Sequence, residues 1–188
     1  MHLLRLLITS LISMTLLTGF GIFDKDSPEE RRKEINELVS EVLADLYREV
    51  PSAKYYLDRS VGYAVFSSLG INVLVLSTAS GKGVAHYNNG KEVYMKMYSA
   101  GVGMGMGIKD FRLVFVFENE AVIDKFVNEG WTAGAQADAA ATHDDEGDAA
   151  VLAIDVSPGV KLFQLTESGL ALQVTIQGTK YWKDKDLN

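Results

Sequence analysis

The sequence predicts an α+β fold: one β-rich domain of mainly antiparallel strands, with an N-terminal amphipathic helix and one or two short helices besides. Three observations carry this. A capped, helix-periodic stretch fills residues 28–50. From Val61 onward, short apolar runs alternate with Gly, Asn and Ser, the rhythm of strands and turns. The hydrophobic fraction, 47% of 188 residues, is enough for a substantial core within a single domain.

Ser27-Pro28-Glu29-Glu30 reads as a helix start: serine caps, proline suits the first helical position, and Glu30 completes a capping box. Ile35, Leu38, Val39, Val42, Leu43, Leu46 and Tyr47 then recur at steps of three and four until Pro51, opposite a charged face of Arg31, Lys33, Glu34, Glu37, Glu41, Asp45 and Arg48. Such a helix lies on a membrane surface or docks on the protein's own core; the acidic polar face favours docking. Residues 52–59 predict a second short helix. The runs GYAVF, INVLVLS, KGVAHY, EVYMKMY, AGVGMGMGI and FRLVFVF predict six successive strands, with Asn88-Asn89-Gly90 as a tight hairpin. Asn119 caps a helix reaching Asn128 and stopped by Gly130, after which residues 131–142 predict a strand. VLAIDV, VKLFQL and LALQVTI complete the strand set, joined at Ser157-Pro158-Gly159 and Glu167-Ser168-Gly169.

Within the AGVGMGMGI run, glycine occupies every second position from Gly101 to Gly107. Successive strand residues face opposite ways, so one face would be bare backbone, which suits very close packing or a sharp bend of the sheet. The spacing excludes phosphate loops. Met106 stands where a dinucleotide fingerprint needs its third glycine, and Leu76 and Gly83 break a Walker pattern around Gly81-Lys82.

The formal charge of −7 argues against nucleic acid, which is gripped by neutralising phosphates. Absence of cysteine excludes disulfides and zinc–thiolate sites. His2, His86 and His143 are isolated in sequence, and no serine stands in Gly-x-Ser-x-Gly, so no catalytic residues, metal ligands or cofactor site are expected. The cluster His143-Asp144-Asp145-Glu146-Gly147-Asp148 reads as a solvated hairpin tip rather than a calcium loop, because the spaced ligands and distal Glu are missing. Residues 1–23 carry one early charge, Arg5, then an apolar run and the small residues Thr18, Gly19 and Gly21. That pattern is a signal peptide or an uncleaved N-terminal membrane anchor, and either implies an exported, periplasmic or cell-envelope protein. Phe20 stands where a lipoprotein box requires cysteine, so lipid attachment there is not expected. The C-terminal run Lys180-Tyr181-Trp182-Lys183 mixes aromatic rings with lysines. Such side chains suit a membrane interface; alternatively, the rings close the core.

Gly62-Tyr63-Ala64-Val65-Phe66-Ser67-Ser68-Leu69-Gly70, then Ser80-Gly81-Lys82-Gly83-Val84, the small-residue run 100–107, Phe115-Val116-Phe117 with Ala121, Ile123, Phe126 and Gly130-Trp131, and finally Gly169-Leu170-Ala171 and Gly178-Thr179-Lys180 follow one another in an order that resembles the SYLF domain family. This lipid-binding domain is also described as an actin regulator in fungi. The match covers roughly residues 41–181 and implies a SYLF-like domain over 24–188, with a helix at 28–50 and a strand-rich body at 61–182. It implies binding to phospholipid or a membrane surface. Lys82, Lys180, Tyr181, Trp182 and Lys183 are the candidate lipid contacts. Residues 71–79 are more apolar than the family's glycine repeat, and the helix lacks the basic face of eukaryotic members, so phosphoinositide preference and actin binding do not carry over. The resulting expectation is a non-enzymatic phospholipid-binding envelope protein. The alternative is a scaffolding envelope protein that binds a protein partner through a sheet edge. Oligomeric state stays open.

Overall fold

Ser27 opens the first helix as its sequence requires. In the computed structural model its hydroxyl accepts from Glu30 N at 3.2 Å, while the Glu30 carboxylate accepts from Ser27 N at 2.8 Å. Helix α1 (Pro28–Glu49) ends before Pro51, which holds Val50 out of the helical region. A short helix α2 (Ala53–Arg59) follows. The structure describes residues 27–73, 76–102, 107–133, 154–166, 169–170 and 179–188. The expected leader at 1–23, positions 134–142 of the strand expected after Gly130, the acidic cluster 143–148 and most of the LALQVTI run lie outside them.

The six runs expected between residues 61 and 117 form four long strands instead: β1 (Gly62–Val73), β2 (Leu76–Tyr87), β3 (Glu92–Val102) and β4 (Gly107–Phe117). Ser67-Ser68-Leu69-Gly70 and Ser80-Gly81, which read as turns, sit inside β1 and β2. At Ser68 and Gly81 smallness serves packing. A Cβ on Gly81 would stand 2.8 Å from Ser68 Cβ and 2.9 Å from Met97 Cγ. The Gly-Met run is likewise not one strand. Gly101 and Val102 end β3, Gly107 begins β4, and positions 103–106 lie outside the described residues.

Gly90, at φ +86°, closes the β2–β3 hairpin at Asn88-Asn89-Gly90. Helix α3 (Glu120–Glu129) is capped by Asn119, whose side chain accepts from Val122 N at 3.1 Å, and stops at Gly130, φ +74°. Strands β5 (Trp131–Ala133), β6 (Ile154–Ser157), β7 (Val160–Thr166), β8 (Gly169–Leu170) and β9 (Thr179–Lys183) complete one antiparallel sheet in the order β5-β9-β3-β2-β1-β4-β7-β6, with β8 beside β7. The central order β3-β2-β1-β4 is that of a Greek key.

Both faces of the sheet are covered, which explains why β4 reads as an unbroken apolar run rather than an alternating one. Phe66, Phe115 and Phe117 pack with Phe126 of α3 and Tyr181 of β9 on one face. On the other, Val65, Val84, Val114 and Val116 meet Ile35, Val39, Val42 and Leu46 of α1 and Leu57 of α2. Helix α1 is therefore docked on its own sheet, as its acidic polar face favours. Among the described residues no helix is long and apolar enough to cross a membrane. The whole is a single, β-rich α+β domain.

A candidate groove beside the first helix

Strand register builds the site. Arg112 of β4 pairs with Ser67 of β1, Ser67 with Lys82 of β2, Lys82 with Lys96 of β3, and Lys96 with Trp182 of β9. Neighbouring strands lie about 4.8 Å apart, so Lys82 and Trp182, one hundred residues apart in the chain, stand roughly 10 Å apart. Residues paired across a sheet share a face, and this row lies on the face that carries α1. The next row outward pairs Ser80 with Tyr98 and Tyr98 with Lys180. Alongside α1 these rows leave a groove of about 570 Å³ whose walls include Leu38, Ser80, Lys82, Lys96, Tyr98 and Trp182. Tyr98 and Trp182 are 46% and 37% exposed, unusually open for large rings.

Each cation of the row has an acidic partner from outside the row. Arg112 meets Asp45 of α1 at 2.6 Å, and Lys82 meets Glu34 of α1 at 2.8 Å. Lys96 lies 2.9 Å from Asp184 and 3.4 Å from Asp186, in the segment after β9. The hydrogen bond to Asp184 pushes the Lys96 ammonium above the ordinary lysine value, so it stays charged throughout the neutral range. That segment is pinned. The Asn188 side chain brackets Tyr94, accepting from its N–H at 3.0 Å and donating to its carbonyl at 2.8 Å, and Leu187 is buried against α1's core.

Of the five residues singled out in the sequence, Lys82 and Trp182 line the groove, and Lys180 flanks it beside Tyr98. Tyr181 points the opposite way. It is 3% exposed, its ring centroid lies 4.9 Å from that of Phe66, and burial pushes its phenol pKa far up. As a contact at a membrane interface it is therefore corrected to a core residue: strand alternation sends it inward while Trp182 goes outward. Lys183 follows Tyr181 to the α3 face, where its ammonium donates to Asn128 Oδ1 at 2.8 Å. Lys96 and Tyr98 escaped sequence reasoning, because only the register of β3 against β2 and β9 brings them to Lys82 and Trp182, and Leu38 joins them only through the docking of α1.

His86 is partly buried under α1, stacked on Tyr63 at 5.0 Å between ring centroids, with Nδ1 3.3 Å from Glu92 Oε1. Burial lowers its pKa, which Glu92 only partly offsets, so it is a neutral ring near pH 7. Its Nε2 is shielded from solvent and has no hydrogen-bond partner among the described residues. No three His, Asp or Glu side chains among the described residues are grouped to hold a metal ion.

Comparison with known proteins agrees with the sequence motifs. Residues 98–188 match the family model described as "Ysc84: Las17-binding protein actin regulator". Over 160 residues the chain is 40% identical to "Beta cell expansion factor A" of Aeromonas veronii, a match that takes in 85% of this chain and 59% of that relative. The chain thus spans less than two thirds of that protein's length. Neither description names an enzymatic activity. With β3, β4 and every later element of the sheet inside or overlapping the matched region, and the resembling motifs in order ahead of it, the chain is similar to the Ysc84 (SYLF) domain family over its C-terminal half.

Proposed function

We propose that this protein is a SYLF-family, non-enzymatic phospholipid-binding protein of the bacterial cell envelope. The headgroup phosphate lies between Lys82 and Lys96, and the glycerol and upper acyl carbons rest on Leu38, Tyr98 and Trp182. One observation carries this reading: strand register gathers two lysines and two exposed aromatic rings into a single groove. Lysine amines suit the phosphate, while the rings suit the boundary between headgroup and hydrocarbon. The chain's net charge of −7 opposes bulk attraction to anionic lipid, so apolar contact supplies most of the affinity. Export through the segment 1–23 is part of the same proposal, and the mass of the native N-terminus would distinguish cleavage from an anchor.

Flotation of residues 24–188, which hold every described element, with vesicles of the organism's own lipid extract is the direct test. The protein should rise with the vesicles and Trp182→Ala should largely remain at the bottom. No flotation with any lipid mixture would count heavily against the reading.

A further inference from the structure

We propose that the groove is guarded by the protein's own carboxylates, and that Glu34 and Asp186 are the two an incoming lipid phosphate displaces. This rests on the phospholipid reading and adds how the site is regulated. Among the described residues that meet at the groove's cationic floor, two ammonium groups, Lys82 and Lys96, face three carboxylates, Glu34, Asp184 and Asp186. Left undisturbed, that set carries a net negative charge and repels an anion. Binding therefore requires exchange of partners.

The three carboxylates differ in how firmly they are held. The side chain of Asp184 is 5% exposed. Its Oδ1 also accepts from Asp186 N at 3.0 Å, its own N–H donates to Tyr94 O at 2.9 Å, and its carbonyl accepts from Asn188 Nδ2 at 2.6 Å. It stays on Lys96. Asp186, with a side chain 59% exposed, reaches Lys96 only at 3.4 Å. The Lys82–Glu34 pair is half-exposed on both sides, and Glu34 has no other hydrogen bond among the described residues. Solvent-exposed pairs of this kind are weak, so a phosphate that brings apolar contacts with it can replace them. Glu34 projects from α1 and Asp186 from the pinned segment after β9, so the guard is assembled from the two elements that flank the groove.

The test is binding of residues 24–188 to vesicles of equal parts phosphatidylglycerol and phosphatidylcholine. Glu34→Gln should lower the half-saturating lipid concentration about fivefold, the effect of one additional basic group near an anionic surface. Asp186→Asn should give a smaller gain in the same direction, since Asp184 remains. Glu120→Gln removes an exposed charge at the start of α3 and should leave binding unchanged. In a Lys82→Gln background, Glu34→Gln should bring no gain, because the pair is then already broken. On pure phosphatidylcholine vesicles, whose phosphates are compensated by their own choline groups, the gain from Glu34→Gln should be smaller than on the mixed vesicles. If wild type binds and Glu34→Gln binds no better, or if Glu120→Gln gains as much, the guard does not exist while the phospholipid reading stands. If neither wild type nor Glu34→Gln binds any vesicle, the phospholipid reading itself falls and takes the guard with it.

Discussion

On its α3 face the sheet buries a cluster of rings, Phe66, Phe115, Phe117, Phe126 and Tyr181, at centroid separations such as 5.2 Å for Phe115–Tyr181 and 5.3 Å for Phe115–Phe126. On its α1 face the same strands bury valines under a docked amphipathic helix, and that packing gives way at its margin to a row of ion pairs and two exposed rings. Strand β3 carries both designs at once. Met95 and Met97 are fully buried on the ring side, while Lys96 between them serves the groove. The ring side is built for stability. The helix side leaves part of its surface uncovered, and the candidate chemistry gathers there.

That contrast can be broken most forcefully from the ring side. Phe115→Ala should cost about 3–5 kcal/mol, because a fully buried ring in contact with four other aromatics leaves a cavity they cannot close. Denaturant unfolding would measure it. A loss below about 1 kcal/mol would mean the cluster is not the dominant core it resembles. Leu46→Ala tests the other face and should cost about 2–5 kcal/mol, toward the lower end because a helix resting on a sheet can shift into the space. Smaller again is Ser27→Ala, about 1 kcal/mol through loss of the capping bond to Glu30 N. If Leu46→Ala outweighs Phe115→Ala, the assignment of stability to the ring side is reversed.

Much of this arrangement is legible in the sequence where it depends on local chemistry. The capping box at Ser27, the stripe from Ile35 to Leu46, the Asn119 cap and the turn at Gly90 are all written within a few adjacent residues. Long-range pairing is not. Ser67-Ser68 and Ser80-Gly81 carry the composition of turns, but Ser68 and Gly81 are small because β1, β2 and β3 crowd there, and that crowding is visible only once Gly81 is seen against Ser68 and Met97. The same limit hid half the groove. Alternation separates Tyr181 from Trp182, but which of them faces the core depends on the partner of β9. That partner is a strand some eighty residues earlier, whose Lys96 and Tyr98 have no local signature.

The smallest effect expected is a pH dependence confined to the α1 face. His86 lies beneath α1 against Tyr63 and Glu92, and its pKa is lowered from 6.5 by burial, with Glu92 acting in the opposite direction. Below 6.5 the unfolded chain therefore binds a proton that the folded chain still refuses. Stability present above that pH should decline as the pH falls toward the folded value, and only there. The chemical midpoint of unfolding, followed from pH 7.5 to 5.5, should drop in the wild type and drop less in His86→Phe, which keeps a ring against Tyr63 and removes the titration. Glu92 remains in both proteins, so it cannot mimic the difference. Parallel slopes would mean that His86 takes up its proton without disturbing the packing beneath α1. The contrast between a closed ring face and a more responsive helix face would then rest on the groove alone.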